Sequence, residues 1–224
     1  MIGVTKYCVH PIEAKSTKAV IGGTKHIKFQ KIKELKPDII LCNKEENTKL
    51  IVEECIKIAP THVSDILTLQ DTLDIINDYG KIFRCKTKAD IISEEISIQR
   101  ENFLHYVSEK PIIKVAYFIW RNPWMVAGKN TFINHLLELN KFENVFYNQN
   151  RYPEIELEEL DKDNKAELIL LSSEPYPFNK KHELEIKEVL TNPKVICVNG
   201  EMFSWYGSRL IKAFDYFKRL RERV

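Results

Sequence analysis

The stretch TKADIISEEISIQRENFLHYVSE, residues 87–109, decides how this chain is organised. It holds neither glycine nor proline, and Ile92, Ile96, Phe103 and Val107 recur at helical spacing, which predicts one long amphipathic helix. Thr87 followed by Asp90 resembles a capping arrangement at its start, and Pro111 stops it. The pattern on either side is different. Short apolar runs bounded by turn residues occur at Ile39 to Cys42, Val115 to Ile119, Leu168 to Leu171 and Val195 to Val198 and read as buried parallel strands, while Ile2 to Thr5 and Ala19 to Ile21 also read as strands. Helical patterns lie among them at Phe29 to Leu35, Thr48 to Ile58, Leu69 to Tyr79, Phe132 to Leu139, His182 to Leu190 and Ser208 to Arg221. The alternation predicts an α/β fold of two Rossmann-like lobes with parallel sheets, joined by the long helix as a backbone. The lobes are expected over 1–85 and 111–224, with the connecting helix over 86–110. The first is short for a complete α/β layer and would be fuller with one more strand and helix ahead of Met1.

The totals fit this picture and exclude several classes. With 44% hydrophobic and 29% charged residues and only 7 Gly, the chain has the make-up of an ordinary globular protein. Its 34 Lys and Arg are spread evenly against 32 Asp and Glu, so no basic footprint for nucleic acid is present. No run approaches the roughly 18 apolar residues of a membrane span. The start, MIGVTKYCVHP, lacks both a basic segment and a long apolar segment, so nothing in it reads as an export signal; the expected location is cytoplasmic if Met1 is the true start. The five cysteines show no CxxC spacing, and Cys42 and Cys197 sit in apolar runs where a free thiol acts as a small core hydrophobe. Nothing suggests more than a monomer.

In open parallel α/β sheets ligands sit beyond the carboxyl ends of the strands, and the residues that follow each strand here are unusual. The first strand is followed by Tyr7, Cys8 and His10, and the Ile39 strand by Asn43, Glu45, Glu46 and Asn47. In the second half come Trp120-Arg121-Asn122-Pro123-Trp124, then Glu174-Pro175-Tyr176-Pro177-Phe178, then Glu201, Phe203, Trp205, Tyr206 and Arg209. All three tryptophans lie in these loops. Loop tips are normally small and polar, so large rings there call for a cover, and flat rings stack on a flat ligand for about 0.5 to 1.5 kcal/mol per pair beyond area burial. The bland alternative is that some rings pack back onto their own lobe, Phe203 and Trp205 first. Pro123, Pro175 and Pro177 stiffen the loops, and the carboxylates and arginines beside the rings suit amide or carboxylate contacts. For Glu45 and Glu46 a solvated loop charge is an equal reading.

No GxSxG, Walker A, GxGxxG after a strand or HExxH motif is present, so binding without catalysis is expected. Gly22-Gly23-Thr24 reads as a tight turn. His26, His62, His105, His135 and His182 are scattered singly and read as surface or capping residues. His10 shares its loop with Tyr7, and hydrogen bonding is its plainer role; axial ligation of a bound metal chelate is the sharper one.

These residues also carry a resemblance. Gly3 through Tyr7-Cys8 to Pro11, Gly22-Gly23-Thr24, Ile32 to Leu35 and Lys36-Pro37-Asp38-Ile39-Ile40 look like the N-terminal lobe of the vitamin B12 and iron-siderophore receptors, the helical-backbone (class III) substrate-binding proteins of ABC importers. Trp120 through Gly128, Ser172 to Phe178 and Gly200 to Arg209 look like its cobalamin-type metal-receptor subgroup. The resemblance covers nearly the whole chain and implies a cobalamin, haem or ferric siderophore held between lobes that move little, delivery to a membrane permease, and a periplasmic or cell-surface location. By position, the loops of Tyr7 and His10, of Asn43 to Asn47, and of Trp120, Tyr176 and Trp205 match the family's ligand-facing loops.

Two departures accompany it. The family normally has a strand and helix ahead of the position of Ile2, preceded by a signal peptide in exported members. The acids that meet permease arginines are not matched, since Lys49 stands where the vitamin B12 receptor has one. Corrinoid ranks ahead of haem and siderophore because the loops are nearly neutral, and no intrinsic cofactor is expected. Two other functions remain open: a cytoplasmic protein that modifies or inserts a cofactor, with Glu174 or Glu201 as general acid or base, and an interaction module whose tryptophan loops bind another protein.

Overall fold

The computed structural model describes residues 1–161, 165–190 and 192–224. They form two compact units, Met1–Asp65 and Ile66–Val224.

In the first unit β1 (Gly3–Val4) pairs in parallel with β2 (Ala19–Val20), and β3 (Ile40–Asn43) with β4 (Thr61–Ser64). Between them run α1 (Ala14–Thr17), α2 (Phe29–Leu35) and α3 (Lys49–Ile56). The helix α2 spans the residues its periodicity predicts and ends where Lys36 turns left-handed (φ 46°), one residue before Pro37, so the helix cannot continue. Thr48 starts α3 by accepting a hydrogen bond from the amide of Ile51. The unit's core is small: Cys42 on β3 packs with Ile51 and Cys55 on α3. Burial, and then the neighbouring Cys55, push the Cys42 thiol up to about 12, so it stays neutral and apolar as its sequence context suggests. The strand β4 was not anticipated, because Thr-His-Val-Ser carries a single aliphatic residue.

The second unit opens with α4 (Leu69–Ile82) and the long α5 (Lys86–Ser108), which pack on each other. At the start of α4 Thr68 and Asp71 form a reciprocal capping box. Arg84, at φ 52°, turns the chain sharply from α4 into α5, and the helices close tightly at Gly80, where an added Cβ would lie 2.6 Å from Cβ of Ala89. One expectation is corrected here. The cap lies two residues earlier than the Thr87–Asp90 pattern suggests: it is Cys85, with no side-chain cap hydrogen bond, and Thr87 sits inside the first turn. Because α4 packs on α5, the second unit starts at Ile66, whereas the lobe expected from the sequence runs to 85.

The centre of the second unit is β5 (Ile113–Trp120), flanked in parallel by β8 (Leu168–Ser172) and then β9 (Lys194–Val198). The other edge of β5 is shared. Its first residues pair in parallel with β7 (Phe142–Asn144), and its last pair antiparallel with β6 (Met125–Val126). Side chains alternate cleanly across the sheet. Val115, Tyr117, Leu168 and Leu170 face a layer built from Ile96 and Phe103 of α5 and from Phe214 and Phe217 of α10 (Leu210–Arg223). Ala116, Phe118, Ile169 and Leu171 face the opposite layer, with Ile186 of α8 (Lys180–Val189) and Phe146. The remaining helices are α6 (Phe132–Leu139), α7 (Glu158–Asp161) and α9 (Glu201–Ser204). The parallel strands β5, β8 and β9 therefore end on one edge, at Trp120, Ser172 and Val198.

Candidate functional site

Beyond the carboxyl ends of β5 and β8 the second unit builds an aromatic wall. The β5–β6 connection is a tight turn whose Asn122 adopts φ 63°, a conformation asparagine tolerates better than most residues. It brings Trp124 back against Phe118. Trp124 lies parallel to Phe178 (interplanar angle 3°, centroids 6.1 Å apart) and edge-on to Phe118 at 5.6 Å. Tyr176 meets Trp120 edge-on at 5.7 Å and Phe178 at 4.7 Å. Phe178 is enclosed, 5% exposed, within this stack, while Trp120 remains 40% exposed at its rim. The Tyr176 hydroxyl lies 3.1 Å from Nε2 of His182, whose other ring nitrogen accepts the Asn179 amide at the start of α8. Arg121 is spread over Trp124, 5.2 Å from the ring centre, and makes a forked pair with Glu185 of α8, which raises its pKa further.

The loop after β9 is fastened to the same edge through one carboxylate. Oε1 of Glu174 accepts hydrogen bonds from the Ser204 hydroxyl at 2.7 Å and from the Trp205 indole N–H at 2.6 Å. That approach requires a glycine at 200, where an added Cβ would collide with Oγ of Ser172 and stand 2.6 Å from Cγ of Glu174. Arg209 lies 5.5 Å from the Trp205 ring centre and pairs with Glu201 at 2.9 Å. Tyr206 packs edge-on against Phe132. Phe203 is fully buried between Tyr117 and Phe217, as the packed-back reading expects.

The loops of the first unit are built by hydrogen bonds rather than rings. Oδ1 of Asn43 accepts the amides of Glu45 (2.7 Å) and Glu46 (3.2 Å), and Oδ1 of Asn47 accepts the Asn43 amide at 2.9 Å. The Asn47 side chain then donates to the Thr24 carbonyl, tying this loop to the Gly22–Gly23 turn. Lys44 pairs with Asp65, just past β4. Tyr7 is 54% exposed with Lys6 over its ring, and His10 is exposed on the following turn.

Within the second unit the structure thus joins Trp120, Arg121, Trp124, Tyr176 and Phe178 in one cluster, and Glu174, Glu201, Trp205 and Arg209 in another. Within the first, Asn43, Glu45 and Asn47 share one turn, and Tyr7 and His10 lie on another. His182 caps the start of α8, in line with its capping reading. Sequence reasoning missed the parts played by Glu185, Ser204 and Asp65, and Glu185 gives no local signal, since it stands 64 positions from the arginine it holds. Two surface hollows lie elsewhere, about 360 Å³ beside Asn134 and Tyr147 and about 610 Å³ beside Lys28 and Leu50, lined by none of the expected residues. Among the described residues no group of three or more His, Cys, Asp or Glu is gathered for a metal ion, and no helix is long and apolar enough to cross a membrane.

Comparison with known proteins agrees with the architecture. No curated protein matches the chain significantly. Among solved structures, the periplasmic vitamin B12-binding protein of Vibrio cholerae superposes with a TM-score of 0.82 at 15% identity, covering 100% of this chain and 89% of that one. The periplasmic heme-binding protein of Roseiflexus, in its apo form, gives 0.84 at 12% identity over 99% and 89%. A Staphylococcus epidermidis protein, described as a possible iron-binding periplasmic solute-binding protein, gives 0.79 at 19% over 99% and 88%. At such identities these likenesses establish the fold: a two-lobe α/β fold with parallel sheets. A family model described as periplasmic binding protein matches residues 1–195, and the chain accordingly belongs to the periplasmic binding protein family.

Proposed function

We propose that this chain is the substrate-binding protein of an ABC-type importer, which binds a cobalt corrinoid or another metal chelate and passes it to a membrane permease without catalysis. The observation that carries the reading is the aromatic wall of Trp120, Trp124 and Tyr176 at the ends of β5 and β8, on a chain of the periplasmic binding protein family. Rings held by one another keep their orientation before a ligand arrives, so a planar macrocycle meets a surface already ordered. Trp120 and Tyr176 would stack on the ligand with Trp205 and Tyr206, while Trp124 and enclosed Phe178 hold them from behind. Glu174, Glu201, Arg121 and Arg209 frame the rings. Tyr7, His10, Asn43, Glu45 and Asn47 of the first unit offer polar groups suited to the same ligand class, and the His10 imidazole is of the kind that ligates a chelated metal.

Corrinoid comes first because the wall offers few unpaired charges. Haem, or a ferric siderophore, is the second reading, favoured by the heme-binding and iron-binding names of two of the structures above. All three tryptophans belong to the second unit, so fluorescence reports directly on the wall. Titration with cyanocobalamin, haemin and a ferric hydroxamate should quench it with one of them well ahead of the others. Unchanged emission with all three at tens of micromolar would end the reading. Recovery of the bound chelate unaltered after long incubation separates a receptor from a cofactor-modifying enzyme.

A further inference from the structure

The two arginines of the wall repeat one arrangement. Arg121 covers Trp124 at 5.2 Å, and Arg209 covers Trp205 at 5.5 Å. Each is already held by a carboxylate from another part of the chain. Nε of Arg121 donates to both oxygens of Glu185 at 3.0 Å and Nη2 bonds it too, while Nη2 of Arg209 pairs with Oε2 of Glu201 at 2.9 Å. Glu185 comes from the middle of α8 and Glu201 from the start of α9, so two unrelated elements supply the same device. These pairs are shielded from water more than ordinary surface pairs, with side chains 26% and 31% exposed in the first and 16% and 25% in the second.

We propose that Glu185 and Glu201 are charge locks that set the ligand class of this wall: by occupying the two arginines, they admit metal chelates whose periphery is amide or alkyl and turn away those bearing free carboxylates. The inference rests on the chelate-receptor reading above and sharpens it. A free carboxylate is recognised best by the fork of a guanidinium, and here Glu185 fills the Arg121 fork while Glu201 engages Arg209 through Nη2. Glu174, Glu185 and Glu201 set three carboxylates beside the two guanidiniums, so these groups by themselves repel an incoming anion. An amide suffers no such repulsion, and its N–H groups can donate to carboxylate oxygens.

The test uses two ligand pairs that differ only in peripheral charge: cyanocobalamin with its monocarboxylic acid, in which one side-chain amide is hydrolysed, and haemin with its dimethyl ester. The readout is the ratio of dissociation constants within a pair, so a general loss of affinity cancels. The wild-type chain should prefer the uncharged member by about tenfold. Glu185→Gln and Glu201→Gln, which keep a hydrogen-bond acceptor but release the arginine, should each cut that ratio several-fold. The double variant Glu201→Gln/Arg209→Gln, which removes lock and cation together, should return it towards the wild-type value. A wild-type ratio near one, or a ratio unmoved by both single substitutions while ligands still bind, overturns the charge lock and leaves the receptor reading standing. Failure of all four ligands to bind overturns the receptor reading and the lock with it.

Discussion

The two units solve the same problem, holding loops still at the ends of parallel strands, by different means. In the second unit rings brace rings: Trp120 leans on Tyr176, Tyr176 on Phe178, and Phe178 on Trp124, all rooted in the layer beneath Phe118. In the first unit the turn at 43–47 is tied by two asparagines bonding backbone amides and one carbonyl. Ring bracing needs a large core to stand on, and the second unit has a buried layer on each sheet face. The first has a core of only a few side chains around Cys42 and Cys55. A unit with little apolar volume fixes its loops with directional bonds, and one with a full core can spend rings at its surface.

The comparison can be broken at its strongest point first. Phe203→Ala removes a ring wedged between Tyr117 and Phe217 and should cost about 3 to 5 kcal/mol, seen as a lower urea midpoint in tryptophan fluorescence. A loss under about 1 kcal/mol would mean that the ring-built unit does not depend on its core. Gly200→Ala should cost about 1 to 3 kcal/mol by overpacking against Ser172 and Glu174, and should weaken the Glu174–Trp205 hydrogen bond. The change to look for is a red shift of Trp205 emission greater than that of the other two tryptophans.

Asn43→Ala should cost about 1 kcal/mol and act on the first unit alone. Faster hydrogen exchange at the amides of Glu45 and Glu46, with the tryptophan-monitored transition unmoved, is the expected result; a shifted transition would deny the units their separate bracing. The smallest effect is in acid. Burial pushes the Asp71 carboxyl up, but the Leu67 and Thr68 amides, the Thr68 hydroxyl and His135 outweigh it and hold its pKa below the usual 3.8. Its contribution is therefore fully present above the unfolded value and is lost as pH falls through the lowered folded value. Asp71→Asn should flatten that part of the stability profile below pH 4, measured by urea unfolding across the acid range.

Much of the frame was legible in the sequence, for reasons of scale. The helices α2 and α6 follow from periodicity alone, and β5, β8 and β9 from short apolar runs bounded by turn residues. Three strands escaped because they carry almost no pattern: Thr61–Ser64 has one aliphatic residue, Met125–Val126 is two residues long, and Phe142–Asn144 is polar after its first position. The start of α5 was misplaced because Cys85 gives no capping signal and the sharp turn at Arg84 is set by close packing of α4 on α5. At the wall, the presence of rings and charges was readable from loop composition. Which carboxylate holds which arginine was not, since Glu185 reaches Arg121 only once α8 has packed on the sheet.

The seam of α4 and α5 at Gly80 and Ala89 also bears on how such chains can be recombined. The chain passes once from the first unit to the second, at Asp65 and Ile66, and everything from there to Val224 is one uninterrupted segment that includes α4, the long helix and the whole wall. A crossover between two relatives placed after 85 would separate α4 from its packing partner and leave a mismatched helix pair. Placed at 65, the same exchange would transplant a first unit by a single peptide junction and leave every ring and arginine of the wall in its native company.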